Sequence, residues 1–458
     1  MATLSPAAVP RRRLGVWHAV SVCVGMVVGA GIFKSAPLAA QSIPSDLALL
    51  AAWVFGGVMS LAGALCFAEL AGAFPDPGGD YFFLRKAYGD GVGFLFAWSR
   101  FAVIHTGSMA MLAFSFGDYL AEIVDLGANG SAAIGAATIV ALAGLNLVGL
   151  RIGIGMQALL VIAVIMGLLL VGAAGALHAF APAAVTGGAI AAATAVPAGA
   201  AAAHGPLQLG AGLVYVFLAY GGWSDTATLS AEMRDGDHGI KRALVIGMSL
   251  VTGLYLLANW AYVQGLSIDG LAASNAPAAD LALLAFGKPG QLAIVAIVAV
   301  TSITSMNAIL IAGSRTTFAA ARDTASLEVL RRWHIDRGTP SRAIVAITLV
   351  SLALLAFGAL TRGGFATMVD YLSPVYWLFL TLSGVALIVL RRREPNVRRP
   401  FRVPGYPLVP LAFIASSVYV FWSSVAYVRV GAVVGVAVLV LGGLLLAALR
   451  RASSRSPI

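Results

Sequence analysis

Residues Val27–Phe33 read VVGAGIF. They lie inside an apolar run from about residue 15 to 41, broken by Gly29 and Gly31 and carrying Lys34. That run is long enough to cross a bilayer as a helix, which takes about 20 residues. Glycines this close together inside such a helix are costly unless the backbone lines a cavity or touches other protein. The stretch therefore reads as a membrane helix interrupted near its middle. Leu218–Ser224 reads LAYGGWS and has the same character, within an apolar run at about 207–231.

The rest of the chain fits a membrane setting. Of 458 residues, 60% are hydrophobic and 10% charged, against roughly 25% charged in soluble proteins. So little charge cannot cover a water-facing surface, which excludes a soluble enzyme, and the apolar content excludes disorder. The two cysteines, Cys23 and Cys66, exclude a disulfide framework, and no CxxC pair exists. Twelve apolar stretches are long enough to span: 15–41, 47–73, 91–119, 131–149, 153–178, 207–231, 242–265, 289–318, 342–360, 366–390, 407–425 and 431–449. They run continuously rather than alternating, so the fold expected is all-α, not a barrel.

Charge orients them. With the N-terminus in the cytoplasm, all but five of the 29 Lys and Arg fall on cytoplasmic segments; Lys34, Arg100, Lys288, Arg362 and Arg429 are the exceptions. This is the positive-inside pattern, and it explains the net charge of +10 without nucleic acid. A multi-pass protein of the cell membrane, plasma or inner, with both termini cytoplasmic is expected. Arg11–Arg13 followed by an apolar run and APLAA imitates a signal peptide, but the glycine interruption and Lys34 argue against one. The expected organisation is a tail at 1–13, a first repeat of five spans at 14–178, an extracellular loop at 179–206, a second repeat at 207–391, two further spans with their preceding loop at 392–449, and a tail at 450–458.

The breaks suggest a chemistry. Unwinding after Gly31 leaves a new helix N-terminus with free N–H groups and positive dipole, suited to a carboxylate. Unwound carbonyls in the sixth span suit an ammonium. A zwitterionic amino acid matches both. The bland alternative is close packing by small residues, since Gly25 and Gly29 form a GxxxG. Breaks in the first and sixth of twelve spans point instead to a transporter with two inverted five-span repeats and its site between them.

Four stretches carry a family resemblance: GMVVGAGIFKS (Gly25–Ser35), AELAGAFPDPGGDYFFLRKAYGDGVGF (Ala68–Phe94), FLAYGGWSDTATLSAEM (Phe217–Met233) and RRREPNVRRPFRVPGYPLVP (Arg391–Pro410). In this order and spacing the chain resembles the amino acid–polyamine–organocation permeases, within them the L-type amino-acid transporters and their bacterial relatives, over about residues 14–449. The resemblance implies a 5+5 inverted-repeat core with broken helices 1 and 6 and two peripheral helices. It implies carboxylate binding by the N–H groups of Ala30, Gly31 and Ile32, and ammonium binding by the carbonyls of Val27, Leu218, Ala219 and Gly221. Trp223, Ser224 and His105 are candidates for the side-chain pocket, His105 with a packing role as its alternative. Leu218 stands where many relatives have a gating Phe, and Val164 where relatives carry a Lys. No acid is placed to meet a cationic side chain, so neutral L-amino acids are expected.

The missing Lys raises a coupling question. Thr301, Thr304 and Ser305 share one helix face. With the carbonyls of Gly25 and Val28 they would form a hard-oxygen site for sodium. The alternatives are hydroxyls bonded back to their own turns and an exchanger or proton-coupled carrier with Asp225 titrating. Asp225, Glu69 and Glu232 are the candidate gating or proton residues. The six histidines are scattered, and HExxH, GxSxG and P-loop motifs are lacking, so no enzyme is expected. An ion channel is the alternative of a different class. The loop near Val124 to Ser131 has no cysteine for a partner chain, so no obligatory heavy-chain subunit is expected.

Overall fold

The computed structural model describes residues 15–454, apart from 30, 44, 77, 126, 128, 149–153, 181–205, 234–238, 324–339, 362 and 428–429. The regular elements are helices: α1 (Val16–Val27), α2 (Gly31–Ser42), α3 (Asp46–Ala73), α4 (Asp80–Tyr88), α5 (Asp90–Ser99), a π-helical turn (Arg100–His105), α6 (Thr106–Ala121), α7 (Gly130–Val148), α8 (Ile154–Phe180), α9 (Pro206–Ala219), a 3-10 helix (Trp223–Glu232), α10 (Gly239–Ala273), α11 (Pro277–Asp323), α12 (Ser341–Leu360), α13 (Gly364–Arg393), α14 (Leu408–Ala426) and α15 (Val430–Ser454).

Among the described residues, eight helices are long and apolar enough to cross a membrane, or nine if the bent pair α1 and α2 is one span. Leu47, Phe180 and Leu360 on their surfaces are largely exposed, as lipid-facing side chains are. Three further apolar stretches of the sequence are helical but divided or short. The third runs through α5, the π-turn and α6, the sixth is α9 followed by the 3-10 helix, and the last keeps an apolar core at Ala432–Ala448.

Local chemistry sets several ends. Ser45 caps α3 by accepting from the Ala48 N–H, with Asp46 in the first turn where the helix dipole favours an acid. Lys and Arg finish α4 and α13. At the centre, α1 packs on α10 and α2 on α9, while α8, α6 and α3 close around α10 and α11; α14 and α15 lie against α13. The two short pairs, α1/α2 and α9/3-10 helix, are thus wrapped by long helices, and their breaks stay away from lipid.

Candidate functional site

The first break follows from hydrogen bonds that fail to propagate. Val28 N–H still reaches Val24 O, but Gly29 N–H turns to Val27 O at 2.9 Å, so the ladder toward Gly25 stops. The chain restarts as α2 at Gly31, bent by 46°. In the second break Gly221 N–H closes a turn on Leu218 O at 2.9 Å. Gly222 then takes φ +99, and a Cβ there would stand 2.5 Å from Met26 O. Only glycine meets both demands, and this contact seats the second break against the first.

Tyr255 joins them. Its hydroxyl lies 3.0 Å from Val27 O and 3.0 Å from Ala219 O, and its ring packs on Trp53 and Tyr220. Two of the carbonyls expected to meet an ammonium thus converge on one point, although Val27 O also takes the Gly29 N–H. Leu218 O accepts from Gly221, and Tyr376 OH lies 3.4 Å from Gly222 N.

A cavity of about 370 Å³ opens between the breaks, lined by Val27, Val28, Gly29, Gly31, Leu218, Ala219, Gly221 and Gly222. Ile104, Ser108, Met111 and Leu112 give it an outer wall, Val161 and Val164 another, and Leu372 and Tyr376 a third. The volume suits a ligand of amino-acid size. Gly31 has no positive φ, and a Cβ built on it meets no atom within 4 Å. What its glycine provides is open space on the cavity, not conformational freedom.

Two expected side-chain positions lie elsewhere, while the Ile32 side chain is fully buried and only its backbone N–H was expected at the site. Trp223 packs edge-on against Phe67 and Phe413, and Ser224 is buried; neither lines the cavity. The reason is the 3-10 helix after the break: its three residues per turn rotate these side chains off the face an α-helix would give them. Ala30 lies outside the described residues, as does the side chain of Glu232, which ends the 3-10 helix.

The cavity floor is polar. Arg100 Nη1 donates to Asp225 Oδ1 at 2.7 Å, and Nη2 lies 2.9 Å from His105 Nε2. A guanidinium only donates. His105 therefore accepts at Nε2 and is neutral, with its proton on Nδ1, an assignment from the network. That Nδ1 has no partner and faces Gly313, where a Cβ would stand 2.9 Å away. Both His105 and Asp225 line the cavity. Arg100 and His105 bracket the π-helical turn, whose freed Ala102 O accepts from Tyr371 OH at 2.6 Å; such turns cluster at functional sites.

Ion pairs tie both ends of the bundle. Lys34 is buried, pairs with Asp118 at 2.6 Å and donates to Asn275 O at 2.8 Å. Gln41 donates to Ala272 O and Tyr119 to Phe33 O, so α2 is fastened to α6 and to the turn before α11. At the opposite, basic end Glu69 is fully buried and accepts from Arg391 Nε at 2.7 Å and from Arg391 Nη2. Its Oε2 also takes the Val403 N–H at 2.7 Å, and Arg399 Nε lies 3.5 Å from its Oε1. Both oxygens of Glu69 are thus held, as a fastening requires.

The candidate cation ligands Gly25, Val28, Thr301, Thr304 and Ser305 all line the cavity. Thr301 and Thr304 donate to Ile297 O and Val300 O, their own preceding turns. A hydroxyl that donates in this way keeps its oxygen lone pairs. The position a Cβ would take on Gly29 lies 3.8 Å from Ser305 Oγ. Among the described residues no group of three or more His, Cys, Asp or Glu could hold a metal ion.

Tyr255, Tyr376, the Asp118 partner of Lys34, and Asp80, which is buried on α4 beside the 3-10 helix, carry no signal in spacing or periodicity. Their contacts span up to 228 residues of sequence.

The model of the family described as amino acid permease matches residues 14–447. The chain is 27% identical over 433 residues to the serine/threonine exchanger SteT of Bacillus subtilis (strain 168), covering 90% of this chain and 91% of that one. It is 27% identical over 436 residues to the large neutral amino acids transporter small subunit 2 of Rattus norvegicus, covering 92% and 78%. Over 428 residues it is 27% identical to the b(0,+)-type amino acid transporter 1 of Homo sapiens, covering 89% and 82%.

Proposed function

The chain belongs to the amino acid permease family, and from that premise we propose that it carries neutral L-amino acids across the cell membrane by alternating access. One observation carries the reading. Two broken helices meet at Tyr255 and frame a cavity with a helix N-terminus on one side and carbonyls on the other. The substrate carboxylate would lie at the start of α2 and its ammonium among the carbonyls of Val27, Leu218, Ala219 and Gly221. Ile104, Met111, Leu112 and Ile309 supply apolar wall. Among the described residues lining the cavity the one acid, Asp225, is already paired with Arg100, which favours neutral side chains. The names of two relatives, a serine/threonine exchanger and a large neutral amino acids transporter subunit, support the same class.

In this reading the bundle has twelve spans, five plus five as inverted repeats with two outside them, and both termini are cytoplasmic. A single chain suffices, with no second subunit. The test is Gly31→Leu. Its side chain would project into the cavity where nothing now stands within 4 Å, so binding of neutral amino acids should vanish while membrane insertion and the thermal transition persist. Normal binding by this variant would displace the site from the breaks.

Sodium coupling is a second reading, favoured by the meeting of Thr301, Thr304 and Ser305 with Gly25 and Val28 on one cavity wall. Sodium there would brace the first break in its substrate-ready form. Sodium and substrate would then tighten each other by the same factor. Thr304→Ala with Ser305→Ala should remove the sodium effect on binding. Uptake unchanged when choline replaces sodium at fixed pH would sink this reading and favour an exchanger.

A further inference from the structure

Beneath the cavity floor lies a carboxylate that forms no ion pair among the described residues. Asp80 opens α4, the short helix between the second and third apolar stretches, and is 6% exposed. Its Oδ1 has no hydrogen-bond partner. The helix α4 packs on the 3-10 helix and on α13.

The groups facing Asp80 can be named from each side. The 3-10 helix brings Asp225 and Ser224, the π-helical turn brings Arg100 with His105 behind it, and α13 brings Tyr376. The remaining charges of α4 are satisfied elsewhere, Arg85 by Asp90 and Lys86 by Glu394. The local charge does not balance. Two carboxylates share one guanidinium, Asp225 holds that guanidinium at 2.7 Å, and His105 is neutral. An uncompensated negative charge on the buried Asp80 is strongly unfavourable. The cheapest neutraliser is a proton, and the oxygen free to take it is Asp80 Oδ1, which has no hydrogen-bond partner. Burial first, then the nearby Asp225, pushes the Asp80 carboxyl up to about 7, against the pull of Arg100 and Ser224.

We propose that Asp80 is a proton-binding site of the carrier, loaded while the cavity floor is closed over it and emptied when α4 and the 3-10 helix part. The inference rests on the carrier reading above. The proton arrives from water, forms one O–H bond on Oδ1, and returns to water at the basic end; no other bond changes. The ion pair Arg100–Asp225 stays charged throughout. Unprotonated, Asp80 would compete with Asp225 for Arg100 and loosen the floor, so loading favours the closed form. This places the titrating group on α4 and leaves Asp225 as its fixed neighbour. It is separable from any sodium bound between α1 and α11.

The test pairs two readouts on the full chain. Infrared spectroscopy of the purified protein follows the carbonyl band of protonated carboxyls as pH is raised. Vesicle uptake of labelled L-serine is followed over the same pH range, with and without sodium. The wild type should show a band that disappears around pH 7 and an uptake rate that changes over the same range. Asp80→Asn should lack that band and hold one rate across the range, near the rate the wild type reaches in acid. Asp225→Asn should keep the band.

If uptake occurs and Asp80→Asn leaves both band and pH profile intact, the proposal fails and the carrier stands. If no amino acid moves but the band belongs to Asp80, the transport reading fails and the proton site stands. Should Asp80→Asn not fold, Asp80→Glu keeps a carboxyl. A displaced band with the pH response retained supports the site, and loss of neither band nor response in an Asp80→Ser variant overturns it.

Discussion

Arg100 Nη1 stands 2.7 Å from Asp225 Oδ1, joining the π-helical turn of the third apolar stretch to the helix that follows the second break. The pair forms the floor of the cavity and connects two elements that must separate if the cavity is to empty toward the basic end. Removing one partner strands the other. Arg100→Gln should lower stability by about 2–3 kcal/mol, below the full cost of a buried pair because Asp225 opens on the cavity. Arg100→Gln with Asp225→Asn should recover most of that loss, read as the shift in thermal unfolding midpoint. Equal loss in the single and double variants would deny the coupling.

Tyr255 is where both breaks meet. Tyr255→Phe keeps the ring contacts with Trp53 and Tyr220 but removes the hydroxyl between Val27 O and Ala219 O. One buried hydrogen bond is worth about 1–3 kcal/mol here. Substrate affinity should therefore weaken by about 5- to 150-fold, measured as KM or Kd, with little change in the amount of folded protein.

Lys34 holds α2 to Asp118 and Asn275 at the end of the bundle away from Glu69. Lys34→Met should favour the form open at that end. A reporter cysteine at Met111, which lines the cavity, should then react faster with an impermeant maleimide added from that side. Cys23 and Cys66 are buried and give little background. Swapping the pair, Lys34→Asp with Asp118→Lys, should slow labelling again.

The Asp80 carboxyl is held at about 7 in the folded chain and near the ordinary value of about 3.9 when unfolded. Between those values the folded state binds the extra proton. Stability should therefore fall as pH rises from about 4 to 7 and level off above, an acid-side advantage lost through the folded value. Thermal midpoints at pH 5 and pH 8 should differ in the wild type and draw together in Asp80→Asn.

Much of this was legible in the sequence because a glycine pair inside an apolar run has few inexpensive explanations. VVGAGIF and LAYGGWS announced both breaks, and both are present. The roles of individual residues around them were less legible. Trp223 and Ser224 belong to the broken sixth stretch, but the 3-10 geometry turns them off the cavity. Gly31 reads as part of a helix break, and what the structure adds is that its backbone is ordinary and its missing side chain leaves open space on the cavity. Tyr255 looks like any aromatic in a membrane helix until the fold brings Val27 and Ala219 to its hydroxyl. Asp80 sits in a loop motif, where an acid is ordinarily solvated, and only packing of α4 on the 3-10 helix removes its water.

The central claim is that the cavity between the two breaks binds and carries a neutral amino acid. The most direct measurement is exchange in vesicles containing this chain alone, preloaded with unlabelled L-serine and given labelled L-serine outside. The account predicts saturable uptake, accelerated by the internal amino acid and abolished by Gly31→Leu in protein that still inserts and unfolds as the wild type does. Uptake indifferent to Gly31→Leu, or an ohmic ion current with no exchange, would contradict it.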